Sequence, residues 1–316
     1  MQEKQPRNKH AKKFDLPAFI KSPAGMLSIG VVAVIVVVII YLVATFGNHT
    51  KPTGTDVSSL SISSKAGSGD DSSSSDEISS NLAEPTATDE ETAQKFEDAL
   101  EQNSDVIGWI KINGIDDIDL PVTQYDDNEY YLDRGLDRKD YYWGTTFADY
   151  RCTFSAKGIP QSRNTTLYGH NKGDYKYFAN LVNYCDDPGL IDEAPYITYT
   201  TEAGDVTYRI FAAFFTEIDD PDFYYIRANP TDEEFQHFID EAKERSEVII
   251  DCDVDTTDRI MTLSTCTYRF KKADGTASED VRCVVMAREL RAGETVDDTL
   301  TPAKDNPNAK QPTYKK

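Results

Sequence analysis

Twenty-one consecutive residues, Met26 to Phe46, carry no charge. At a helical rise of about 1.5 Å per residue the run spans roughly 30 Å, the thickness of a bilayer's hydrocarbon core. A cleavable signal peptide has an apolar stretch of only about 7–15 residues before a small-residue cleavage site. This run is longer, and no clear small-x-small site follows it. Six Lys and Arg precede it within residues 1–25, against Glu3 and Asp15. Positive charge on the N-terminal flank predicts a basic cytoplasmic head (1–25), one transmembrane helix (26–46), and everything from residue 47 outside the cell.

Charge then restricts what the exported part binds. The chain has a formal net charge of -22 with its only basic cluster in the head, so the remainder is strongly acidic. A nucleic-acid surface needs clustered Lys and Arg, and that class is set aside. Residues 58–80 hold 12 Ser, and no aromatic occurs from Gly47 to Lys95. Such a segment buries too little apolar surface to offset its ordering entropy, which predicts a disordered stalk over 47–88. The polar, Pro/Lys-rich tail, 293–316, is expected to be disordered as well.

Residues 89–292 read as one mostly-β domain. Thr88 and Glu91 form a capping-box pattern ahead of Ala93, Phe96 and Leu100 at helical spacing. Strand-like runs follow at 106–112, 165–169, 206–215, 247–251, 260–263 and 281–287, separated by Gly, Pro, Asn and Asp. A second helix is signalled by Thr231 with Glu234 and by the apolar stripe Phe235, Phe238, Ile239, Ala242.

The chemistry-bearing residues emerge by elimination. Of four histidines, His10 lies in the basic head, His49 abuts the apolar run, and His237 falls off its helix's apolar stripe. His170 remains, where the strand Leu167-Tyr168 gives way to a polar turn at Gly169. All five cysteines follow residue 47, and no C-x-x-C pair suggests a structural zinc site. The thiolate is the nucleophile, and adjacent carboxylates disfavour it. Cys252 lies between Asp251 and Asp253, and Cys185 precedes Asp186 and Asp187. Cys283 sits among Val residues, as a small core hydrophobe does. Cys152, after Arg151, rivals Cys266, which ends the strand Thr262-Leu263-Ser264-Thr265 with no adjacent acid.

Leu167-Tyr168-Gly169-His170, Thr262-Leu263-Ser264-Thr265-Cys266 and Arg282 resemble the three active-site blocks of the sortase family, in the family's chain order. The segments 103–110, 126–132 and 147–151 resemble the same family, so the likeness covers about residues 90–292. It is most like class B, which has an N-terminal helical extension and an extra helix before the cysteine strand. Two departures stand out: a long, charged segment 267–281, and a small insertion at 136–143.

The resemblance implies an eight-stranded sortase-type β-barrel and a cysteine transpeptidase that needs no cofactor. Cys266 would form a thioester with a peptide carbonyl. His170 would act as general acid and base, and Arg282 would hold the oxyanion or substrate carbonyls. Asn128, Leu132 and Ser264 match positions that line the peptide groove, and the backbone N–H of Thr267 is a second oxyanion donor by analogy. The implied partners are exported proteins with a C-terminal sorting signal, cleaved after Thr, and an amine of the peptidoglycan precursor in a Gram-positive cell wall. Alternatives are a pilin-polymerising enzyme with a lysine acceptor, a cell-wall cysteine peptidase, and a stalked adhesin with structural cysteines.

Overall fold

The computed structural model describes residues 81–312 except 116, 173–175, 273, 279 and 298. Helix α1 (Glu90–Gln102) leads into β1 (Val106–Lys111), β2 (Asp119–Thr123), β3 (Phe147–Ala148) and β4 (Asn164–Tyr168). Short helices α2 (Asn183–Asp186) and α3 (Pro188–Glu193) precede β5 (Tyr196–Thr201) and β6 (Gly204–Glu217). Then come α4 (Asp232–Arg245), β7 (Val248–Ile249), β8 (Ile260–Cys266), β9 (Val281–Glu289) and β10 (Lys304–Asp305). Eight strands close a barrel in the order β1-β2-β3-β4-β8-β9-β6-β5, and β7 pairs with β10 apart from it. The anchor expected at 26–46 lies outside the described residues, and among those described no helix is long and apolar enough to cross a membrane.

The middle of the barrel is apolar on both faces, which explains the unbroken run in β6. Successive side chains of a strand point to opposite faces. Ile210, Ala213 and Phe215 enter the interior with Met261, Leu263, Cys283 and Val285. Phe211, Ala212 and Phe214 face outward and pack with Val284 and Met286 under Phe235, Phe238, Ile239 and Ala242 of α4. The irregular count at Ala212 reflects a register shift between Ile210 and Ala212 in the pairing with β9. The capping box of α4 forms in both halves, between Thr231 and Glu234.

Three expectations need correction. The cap of α1 is Asp89, which accepts from the Thr92 amide, whereas Thr88 donates to Asp205. Residues 82 and 86, assigned to the stalk, pair with Arg291 and Asp205. The tail is ordered over its described length. β10 pairs with β7, the Asn306 amide donates to the Glu247 carbonyl, and Lys310 reaches Glu241 at 2.7 Å. Composition misjudged the tail because backbone pairing and ion pairs attach it, with Ala303 joining the apolar core.

Sequence patterning missed three barrel strands for identifiable reasons. Pro121 interrupts β2 and pairs opposite Trp109, and proline argues against a strand in any sequence reading. β3 is two residues long, and β5 is a Thr/Tyr run with little apolar contrast.

Candidate active site

Strand register builds the site. β8 and β9 are antiparallel, with Cys266 directly opposite Arg282 and Ser264 opposite Val284. Val284 faces outward, so Ser264, Cys266 and Arg282 share the outer face of the barrel, past the end of the patch that α4 covers. β4 runs parallel to β8, with Tyr168 beside Ser264. Two residues further on, His170 is therefore level with Cys266. Gly169 is pinned there: its amide donates to the Ser264 carbonyl (3.3 Å) and its carbonyl accepts from Thr265 Oγ1 (2.7 Å). A Cβ at Gly169 would lie 2.6 Å from the Phe178 ring, so only glycine fits.

These three side chains line one groove of about 270 Å³ together with Asn128, Leu132, Ser264, Tyr168, Ile218 and Tyr225. Six of the seven residues singled out in the sequence thus converge. The seventh, Thr267, singled out for its backbone N–H, is buried and lines a neighbouring cleft with Asn171, Asn183, Asp186 and Arg269. Among the described residues no group of three or more His, Cys, Asp or Glu is arranged to hold a metal.

Burial distinguishes the five thiols. Cys266 is partly exposed and the other four are buried. Burial pushes the Cys152 thiol up to about 11, and it raises Cys185 and Cys252 too. The acidic sequence neighbours that set Cys185 and Cys252 aside are not the main cause. Desolvation dominates in both, and at Cys252 Arg288 and Arg209 act in the opposite direction. Arg151 gives Cys152 little help, because its guanidinium is held by Asp149.

His170 is half-buried with its ring held by a backbone acceptor. Nε2 lies 2.6 Å from the Leu132 carbonyl oxygen, so in this arrangement Nε2 carries the hydrogen and Nδ1 is the remaining ring position. Burial lowers its pKa below the ordinary imidazole value; the Leu132 contact opposes this and the Lys172 charge reinforces it. A neutral His170 can accept a proton at neutral pH, and its conjugate acid is a strong donor. Lys172 itself sits 3.7 Å over the Tyr142 ring and donates to the Tyr142 carbonyl.

Sequence reasoning missed the acid beneath the groove. Asp149, fully buried, accepts from Asn128 Nδ2 (2.8 Å), the Tyr168 hydroxyl (2.8 Å) and two nitrogens of Arg151 (2.8 and 2.6 Å). Asn128 Oδ1 in turn accepts from the Tyr150 amide. Burial alone would raise the Asp149 pKa, but the bonds from Arg151, Tyr168 and Asn128 hold it below the ordinary value. Opposite, the Tyr225 hydroxyl meets Ser264 Oγ at 3.1 Å. The only sequence signal for Asp149 was its place in the block Phe147-Ala148-Asp149-Tyr150-Arg151.

The two departures are folded features. Across the insertion, a backbone β-bridge pairs residue 134 with residue 140, and Arg138 reaches Asn103 and Asp105, fastening it to the C-terminal end of α1. In the Cys-to-Arg segment, Lys271 bridges Ala277, and Phe270 packs edge-on against Phe215.

Comparison with known proteins agrees with this geometry. The Sortase domain family matches residues 110–290. Sortase B of Staphylococcus aureus is 32% identical over 203 residues, covering 64% of this chain and 77% of the relative. Sortase B of Listeria monocytogenes is 35% identical over 188 residues, covering 58% and 72%. Among solved structures, the Staphylococcus aureus sortase B–substrate complex superposes with a TM-score of 0.54 at 31% identity, covering 63% of this chain and 85% of that one. Clostridium perfringens sortase B gives 0.54 at 26% identity, covering 61% and 98%. A thiol, an imidazole and a guanidinium on the outer face of a closed barrel, within this extent of similarity, place the chain in the sortase family of cysteine transpeptidases, and it is class B-like.

Proposed function

We propose that this sortase cleaves a C-terminal sorting signal of exported proteins after Thr and transfers the new acyl end to an amine of the peptidoglycan precursor. Cys266 Sγ passes its proton to His170 and attacks the scissile carbonyl carbon, the C–N bond breaks, and the leaving amine takes that proton from His170. The incoming amine then attacks the thioester carbon, the C–S bond breaks, and its excess proton passes through His170 back to the cysteine. Arg282 stabilises the oxyanion of both tetrahedral intermediates. Asn128, Leu132 and Ser264 hold the signal peptide in the groove. The observation that carries this reading is the register of β4, β8 and β9, which sets Cys266 opposite Arg282 and level with His170. The backbone amide of Thr267, the residue after Cys266, is the second oxyanion donor in this reading.

The test is to trap the acyl-enzyme with a fluorogenic sorting-signal peptide and locate the adduct by mass spectrometry. The adduct is expected on Cys266, with Cys266→Ala giving neither cleavage nor transfer; an adduct on another cysteine would overturn the assignment. Products formed with a peptidoglycan amine, with a lysine-bearing pilin peptide and with water alone separate the proposed acceptor from the pilin and peptidase alternatives. We also propose that residues 26–46 anchor the enzyme with its catalytic domain outside the cell. The uncharged length and basic flank support this. Protease added to intact protoplasts should then remove the domain, and a protected domain would refute the topology.

A further inference from the structure

We infer that Arg245 and Asp220 are positioning residues for the donor groove: their buried ion pair fixes the wall supplied by the segment between β6 and α4. This rests on the transpeptidase reading above. Ile218, Tyr225 and Ile226 of that segment line the groove, and residues 218–231 lie outside the strands of the barrel. Strand register, which places Cys266 and Arg282, therefore does not place this wall. Three contacts from α4 hold its first turn. Arg245 Nη2 lies 2.9 Å from Asp220 Oδ2, the Arg245 guanidinium lies 4.9 Å over the Phe223 ring, and His237 Nε2 meets the Asp222 carbonyl at 2.9 Å. Asp220 passes the restraint on, because its Oδ1 accepts from the Asp222 amide at 3.0 Å. Phe223 is buried and packs against Tyr225, with ring centroids 6.2 Å apart. The Tyr225 hydroxyl meets Ser264 Oγ in the groove, so contact is continuous from the last residue of α4 to the site.

Stability alone does not account for the pair. The buried stripe of α4, Phe235, Phe238, Ile239 and Ala242, reaches Arg245 three residues further on, where an aliphatic side chain would extend it. The side chains of Arg245 and Asp220 are instead 3% and 11% exposed. Desolvating two charges offsets much of their attraction, and apolar residues of similar volume often serve a fold as well or better. What the ion pair adds is direction, since a guanidinium meets a carboxylate in few orientations and an aliphatic contact slides. Arg245 is itself set within the helix by Glu241, whose Oε2 accepts from Nε (3.0 Å) and Nη2 (2.8 Å). Glu241 is in turn balanced by Lys310. Two carboxylates hold one guanidinium, and of the two only Asp220 belongs to the groove wall.

That difference supplies the test. Donor KM and kcat for cleavage of a sorting-signal peptide are measured with the full catalytic domain, alongside its melting temperature. Asp220→Asn should raise the donor KM about tenfold, the factor that corresponds to one charge-assisted hydrogen bond. Its kcat should change less than about twofold, because the barrel ladders still place Cys266, His170 and Arg282. Glu241→Gln removes the other carboxylate and should lower the melting temperature while leaving the KM within about twofold. The double variant Asp220→Leu with Arg245→Met makes both positions apolar and leaves Glu241 paired with Lys310. Its melting temperature should recover toward that of the wild type while its KM stays high. Recovery of the KM together with the melting temperature would assign the pair a purely structural role and overturn the proposal. So would KM changes that follow stability equally in Asp220→Asn and Glu241→Gln. Trapping the acyl-enzyme at saturating donor separates the two readings. An adduct on Cys266 with an unchanged KM in Asp220→Asn removes the positioning role alone, whereas no adduct on wild-type Cys266 removes the transpeptidase reading and this proposal with it.

Discussion

Replacing Asp149 by Asn tests whether the groove is held from below. Oδ2 of Asp149 receives Asn128 Nδ2, the Tyr168 hydroxyl and Arg151 Nη2. An amide nitrogen at that position would set a donor against three donors, whereas rotating the amide would set it against Arg151 Nε and the Arg151 amide. Removing one partner of a fully buried pair costs about 3–5 kcal/mol. Arg151 is 31% exposed and also bonds the Tyr224 hydroxyl, so water and that hydroxyl recover part of the loss. A net loss of about 2–3 kcal/mol remains by this reasoning. For a domain of this size each kcal/mol moves the melting temperature by about 2–4 °C, so a fall of roughly 5–10 °C is expected at pH 7.

The pH dependence supplies the control. The folded pKa of Asp149 is below its ordinary 3.8, so its contribution to stability is present above that value and lost as pH falls through the folded pKa. The gap between the two proteins should therefore be widest at neutral pH and narrow below about pH 4. Calorimetric melting of both proteins from pH 3 to 7 is the assay. The KM for the donor peptide should also rise, because Asn128 and Tyr168 lose their common anchor. A melting temperature within about 1 °C of wild type at pH 7 would show that the network does not hold the groove.

Two other perturbations act on the chemistry directly. Arg282→Lys keeps the charge opposite Cys266 but loses the planar fork, and transfer should fall by about 10²–10³-fold with the fold intact by circular dichroism; near-normal turnover would remove Arg282 from the oxyanion role. Lys172→Met removes a cation that depresses the His170 pKa, so the limb of the pH–rate profile that reports His170 should move to higher pH; a shift to lower pH, or none, would refute the electrostatic link.

The amino-acid sequence by itself determined the local features. Thr231 and Glu234 cap their helix because the two bonds involved span only three residues. The run 206–215 announced a strand, and Cys266 and His170 could be singled out by elimination. What no local pattern carried was which residues meet. The pairing of Cys266 with Arg282, 16 positions away, and the alignment of β4 with β8, about 96 positions away, are set by hydrogen bonds between strands. A shift of one residue in either ladder would turn the cysteine into the barrel interior or carry His170 out of reach. Only the tertiary structure brought Asp149 beneath Asn128 and made burial, rather than the neighbouring aspartates, the main cause that raises the Cys185 and Cys252 thiols. Desolvation and cross-strand register depend on what surrounds a residue in space, and the residues next to it in the chain do not specify that.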